Sequence, residues 1–124
     1  MSRILVVDDE KIISHSLQRV LGRAGHAVEV ANNGLEAIQL LEKSAAGPDL
    51  MFLDFLMPEI GGGEVLDFAK RKFPGCVVLM MTAYGDTAAR NDLLARGAAQ
   101  VLAKPFDDIT KIPDVVAAAL AGKA

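Results

Sequence analysis

The sequence predicts an α/β fold, a doubly wound parallel sheet of five strands with five helices. Three observations carry that expectation. Five short apolar runs occur along the chain, each followed by a stretch with helical spacing. Runs such as ILVV and LMFL are continuous rather than alternating, as strands covered on both faces require. The runs also end on polar residues, where an open parallel sheet places its ligand-binding groups.

Ile4–Val7 is the first strand, and Lys11–Arg23 the first helix, with Leu17, Val20, Leu21 and Ala24 on its buried stripe and Gly25 as its stop. Ala27–Val30 is the second strand. Asn33-Gly34 opens a second helix whose expected seam is Leu35, Ile38 and Leu41, with Ala37 and Leu40 beside it, until Gly47-Pro48 breaks it. Leu50–Leu53 is the third strand and ends at Asp54. A loop through Pro58 and Gly61-Gly62-Gly63 leads to a third helix over about Glu64 to Lys72. The triple glycine lacks the lysine of a phosphate-binding loop and is read as a flexible approach to that helix. Pro74-Gly75 turns the chain into the fourth strand, Val77–Met81, which ends at Thr82. Thr87–Arg96 is the fourth helix, closed by Gly97. Gln100–Ala103 is a weak fifth strand ending at Lys104-Pro105. Proline disfavours helix at the residue before it, so a turn over Asp107–Lys111 and a last helix over Pro113–Leu120 are expected.

Size and composition bound the function. The chain of 124 residues is the length of one domain, read as a single unit over residues 1–124, and 52% hydrophobic residues suffice for a packed core. A net charge of −3 without a basic run argues against nucleic-acid or anionic-membrane binding by this domain. No apolar stretch approaches spanning length or resembles a signal segment, and the single cysteine, Cys76, reads as a buried strand residue, so a cytoplasmic setting is expected. His15 and His26 read as exposed and inert.

The strand ends carry the chemistry. The first contributes Asp8 and Asp9, the third Asp54, the fourth Thr82 and the fifth Lys104. Carboxylates gathered on one rim repel one another unless a cation sits among them. Lys104 supplies one positive charge, and the oxygen-rich set suits a hard ion such as Mg2+. A carboxylate nucleophile, Mg2+, a lysine and a hydroxyl are together sufficient for phosphoryl transfer. Taken singly, each of these residues is ordinary: a strand-end Asp is usually solvated or a helix cap, and a lone lysine is usually surface.

Four segments, ILVVDDE, LMFLDFLMPEIGG, VLMMTAYGD and LAKPF, appear in this order at these strand ends, and through them the chain resembles the receiver domain of two-component response regulators over its whole length. The resemblance implies the strand order 2-1-3-4-5. It implies Asp54 as phospho-acceptor, with Thr82 and Lys104 holding phosphoryl oxygens. It implies Mg2+ held by Asp9 and Asp54 directly, by Asp8 through water, and by the backbone carbonyl of Leu56. A cis Lys104–Pro105 peptide is implied too, which proline makes inexpensive. The implied partners are a sensor histidine kinase or phosphotransfer protein, docking on the first helix, where Ile12 is either ordinary surface or a partner contact, and a downstream output domain or protein, with a phosphorylation-dependent homodimer as a further form. Such a domain is a signalling switch with self-phosphorylation chemistry rather than a conventional enzyme.

Three positions depart from the family pattern. Val101 stands where many receivers carry a rotating aromatic, Gly61 replaces a common polar residue and is expected to loosen its turn, and Pro113 interrupts the last helix. The absence of the aromatic directs attention to the Thr82-Ala83-Tyr84-Gly85 loop as the moving element. Leu56 and Tyr84, each two residues beyond a site residue, are expected to shield the phosphoryl group from water. Competing readings are weaker. A flavodoxin-type ligand domain would put a phosphate against Asp8-Asp9-Glu10, and an Asp-nucleophile phosphatase would need a cap domain. A degenerate receiver acting as a binding module would not need the complete acid, threonine and lysine set.

Overall fold

The structure is a computed structural model that describes residues 2–83 and 87–122. Its strands are β1 (Arg3–Val7), β2 (Ala27–Ala31), β3 (Leu50–Asp54), β4 (Val77–Ala83) and β5 (Gln100–Lys104). Its helices are α1 (Lys11–Arg23), α2 (Gly34–Lys43), α3 (Gly62–Lys72), α4 (Thr87–Ala95) and α5 (Ile112–Ala121), the last preceded by a single 3₁₀ turn at Ile109–Lys111. All strand pairs are parallel, in the order β2-β1-β3-β4-β5. The fold class and strand order agree with expectation.

Alternation along the strands divides the core between two faces. Leu5, Val7, Met51, Leu53, Val78 and Met80 pack with Ala37 and Leu41 of α2, with Val65, Leu66 and Ala69 of α3, and with Leu93 of α4. Ile4, Val6, Leu50, Phe52, Leu79 and Met81 pack with Leu17 and Leu21 of α1 and with Ile112 and Val116 of α5. Helices on both faces explain why β1 and β3 are apolar at successive positions. The edge strand β2 differs: Ala27 and Glu29 are exposed, and only Ala31 is fully buried.

Several helix faces differ from expectation. In α2 the inward face is Gly34, Ala37 and Leu41, and Leu35 is exposed. Gly34 is pressed against Ile60, so close that a Cβ there would lie 2.9 Å from the Ile60 Cβ. That contact turns the i, i+3, i+7 face inward and rotates Leu35 about 100° away. Asn33 caps the helix, its side chain accepting the Glu36 N–H at 2.8 Å. In α1 the buried residues are Ser14, Leu17 and Leu21. Val20 is half-buried and Ala24, the residue that caps the helix end, is exposed. His26 is half-buried, and its Nδ1 accepts the Ser2 N–H at 3.2 Å, so only His15 is exposed as expected.

Helix α3 starts two residues earlier than its charged residues suggest, at Gly62. The loop before it is tied by the Gly62 N–H donating to the Phe55 carbonyl at 2.9 Å. Gly61 has an ordinary extended φ of −79°, and the left-handed position falls on Glu59 at φ 65°. The glycine that matters is Gly62, whose Cα rests on the backbone of Asp54 and Phe55. Gly61 itself adopts a backbone conformation that any residue could take. Pro113 lies in the first turn of α5, where its missing N–H has no helical partner to lose.

Candidate phospho-acceptor site

Parallel register brings the strand ends to one rim. Asp54 pairs with Met81, Thr82 with Ala103, and Ala83 with Lys104, so the acid, the hydroxyl and the lysine come from adjacent strands at nearly one level. The ladder continues just past the strands: the Asp8 N–H donates to the Ala31 carbonyl at 3.2 Å and the Phe55 N–H to the Met81 carbonyl at 2.9 Å. These bonds fix the backbone from which Asp8 and Asp54 project.

Asp8, Asp54 and Thr82 are buried, whereas Asp9 and Glu10 are exposed. Lys104 reaches into the cluster. Its Nζ lies 3.0 Å from Asp8 Oδ2, 2.7 Å from Glu10 Oε1 and 3.3 Å from Asp54 Oδ1. The Lys104–Pro105 peptide is cis, as the resemblance implies. One carboxylate oxygen from each of Asp8, Asp9, Glu10 and Asp54 can be chosen so that all four lie within 4.8 Å of one another.

Electrostatics follow from that crowding. Burial pushes the Asp54 carboxyl up to about 7, Asp8 and then Asp9 add repulsion, and Lys104 opposes the rise. Burial alone would lower the Lys104 ammonium, but hydrogen bonds to Glu10 and Asp8 and the charges of Asp54 and Asp8 outweigh it, and the net shift is upward. The lysine therefore stays charged throughout the neutral range. Four carboxylates against one ammonium leave an excess of negative charge, and all the acidic donors are oxygens. That donor set fits a hard divalent cation such as Mg2+.

The structure brings Asp8, Asp9, Asp54, Thr82 and Lys104 to the same rim. Leu56 follows in the β3–α3 loop and is 70% exposed. Glu10 was not singled out by the sequence, although it makes the shortest contact to Lys104. Its adjacency to Asp8-Asp9 was visible, but its reach across the sheet to β5 was not. Tyr84 and Gly85 lie outside the described residues, and with them the moving element expected there. Val101 is buried on β5, and its carbonyl accepts a hydrogen bond from Arg90 at 3.3 Å.

A family model, the response regulator receiver domain, matches residues 4–117. The chain belongs to the response regulator receiver family. It is 42% identical over 108 residues to the transcriptional regulatory protein CpxR homolog of Haemophilus influenzae, covering 87% of this chain and 46% of that protein. It is 36% identical over 104 residues to the response regulator MprA of Mycobacterium leprae, covering 84% and 45%. The chain thus spans about half the length of these curated relatives. Among solved structures, a CheY-like response regulator receiver domain protein from Methanospirillum hungatei superposes with a TM-score of 0.91 at 27% identity, covering 99% of this chain and 96% of that one. The BeF3-activated DrrB receiver domain superposes at 0.85 with 25% identity, each chain covered to 98%. Receiver domains of this family act in two-component signalling, partner with histidine kinases and output domains, generally use Mg2+, and are not conventional enzymes. No helix among the described residues is long and apolar enough to cross a membrane.

Proposed function

We propose that this chain is a single receiver domain and a phosphorylation-dependent switch in which Asp54 accepts a phosphoryl group from a phospho-histidine partner. The observation that carries the reading is the buried Asp54 carboxylate at the end of β3, with the Lys104 ammonium 3.3 Å from its Oδ1 and two further aspartates beside it. A carboxylate oxygen of Asp54 attacks phosphorus, a P–O bond forms, the P–N bond to the donor imidazole breaks, and its electron pair leaves with the imidazole nitrogen. The Lys104 ammonium and the Thr82 hydroxyl donate to the phosphoryl oxygens and hold them in place. Asp9 and Asp54, with Asp8 through water and the Leu56 backbone carbonyl, are the groups that would hold Mg2+. When bound, the ion supplies the positive charge that lets an anionic phosphoryl group approach this acidic rim.

The partner side is supported by exposure. The three large hydrophobics that stand exposed among the described residues, Ile12, Leu35 and Leu56, all flank this rim, in the first turns of α1 and α2 and in the β3–α3 loop. Apolar side chains around a polar cleft suit docking of a sensor kinase or phosphotransfer protein. The output domain or protein downstream, a phosphorylation-dependent homodimer and a cytoplasmic setting belong to the same proposal, which assigns no nucleic-acid contact to this domain.

The test is incubation with acetyl phosphate and Mg2+, read by intact mass and peptide mapping. One phosphoryl group on Asp54 is expected, with none in EDTA. A modification that persists in EDTA, or that maps elsewhere, would overturn the assignment. A second expectation concerns lifetime. The family resemblance puts the exposed, apolar Leu56 side chain beside the phosphoryl position, where it could neither accept from nor donate to an attacking water. Leu56→Asn is expected to speed phosphate release by about tenfold, a barrier change of ~1.4 kcal/mol. An unchanged decay rate would show that this side chain does not limit hydrolysis.

A further inference from the structure

Lysine carries three N–H donors, and three carboxylates already surround the Lys104 ammonium: Glu10 at 2.7 Å, Asp8 at 3.0 Å and Asp54 at 3.3 Å. A phosphoryl group on Asp54 brings new oxygens that need the same ammonium, so an existing partner must yield. Burial decides which one. Asp8 is fully buried, and its other oxygen, Oδ1, accepts the Glu10 N–H at 2.8 Å. The fully buried Asp8 side chain cannot turn into solvent to replace the donor it would lose, so giving up the ammonium is costly there. The Glu10 side chain is 61% exposed, so it can turn into solvent with little loss.

Resting on the assignment of Asp54 above, we propose that Glu10 is a positioning residue for Lys104. Its carboxylate holds the ammonium in the unphosphorylated protein, competes with the phosphoryl oxygens for it, and is released into water when they arrive. The pairing stabilises the resting state only. Losing it therefore favours the phosphorylated state.

The backbone of Glu10 makes the idea testable. It caps α1, its carbonyl accepting the Ile13 and Ser14 N–H groups, each at 3.1 Å, and its own N–H is held by Asp8. A shorter side chain at this anchored position keeps the charge but falls short of Lys104. Glu10→Asp and Glu10→Gln should therefore act alike, although only the second removes a charge. Glu59→Gln serves as the control, since Glu59 lines the cleft beside Asp9 and its removal changes the local charge without touching Lys104.

The measurement is the apparent affinity for beryllofluoride at saturating Mg2+, followed by amide NMR, together with the rate of phosphoryl loss from Asp54. Both Glu10 variants are expected to bind beryllofluoride about fivefold more tightly, the scale of one exposed ion pair, and to lose phosphate at the wild-type rate, with Glu59→Gln within about twofold of wild-type affinity. Wild-type affinity in Glu10→Asp alongside tighter binding in Glu10→Gln would reduce the effect to charge and overturn the proposal. So would unchanged or weaker binding in both variants, and in either case phosphorylation of Asp54 would still stand. Failure of the wild-type protein to bind beryllofluoride or to be phosphorylated at Asp54 would overturn both readings together.

Discussion

Asp54→Asn is expected to abolish phosphorylation and, in the same protein, to raise stability at pH 8. The first effect is loss of the nucleophile, and the acetyl phosphate assay with intact mass measures it. The second follows from the electrostatics of the unphosphorylated rim. The Asp54 carboxyl sits at about 7 in the folded protein, pushed up by burial and then by Asp8, against an ordinary 3.8. Between those two values the unfolded chain has released its proton and the folded protein still holds it. Stability therefore falls as pH rises through roughly 4 to 7 and levels off above that window. Asparagine cannot ionise, so it removes the penalty. The expected gain at pH 8 in EDTA is on the order of 2 kcal/mol, shrinking towards zero near pH 4. Urea denaturation of both proteins at pH 4, 6 and 8 measures the difference. An equal difference at pH 4 and pH 8 would show that ionisation of Asp54 is not its source. Added Mg2+ should narrow the gap, because an ion held at the wild-type rim would stabilise the folded state by mass action.

Gly62→Ala should destabilise the fold by about 2 kcal/mol, although alanine is the better helix former. A Cβ at Gly62 would lie 2.8 Å from the Phe55 Cα and still closer to the Asp54 carbonyl oxygen, both of them backbone. Backbone cannot rotate away as a flexible side chain can, so α3 or the end of β3 must shift. Asp54 is also the proposed phospho-acceptor, so the phosphorylation rate should fall with stability. Gly61→Ala is the control. Its Cβ would meet only the Phe55 carbonyl oxygen at 3.7 Å, and its φ of −79° suits any residue, so a change within about 0.5 kcal/mol is expected. Denaturant midpoints compare the two. Equal, small effects would mean that α3 can relax away from β3 freely.

The element pattern and the site were legible for related reasons. Continuous apolar runs interrupted by helical spacing identify central strands such as β1 and β3, because burial on both faces leaves no polar position. Asp8, Asp54, Thr82 and Lys104 could be assembled because a parallel sheet carries all its strand ends to one rim. Asp9 followed from its adjacency to Asp8. Composition, charge and the four motifs were enough to name the family without a contact map.

What the tertiary structure alone decided lies between elements. Leu35 has the spacing of a seam residue but faces solvent, since the close approach of Gly34 to Ile60 sets the rotation of α2. Gly62, unremarkable within a run of three glycines, is the one on which Asp54 and Phe55 rest. Glu10 looked like a third member of an acidic run, yet its contact is with a lysine 94 residues away. Local sequence records propensity and periodicity, which are properties of one segment. Distances across the sheet arise only once register and packing are settled, and those depend on every strand at once.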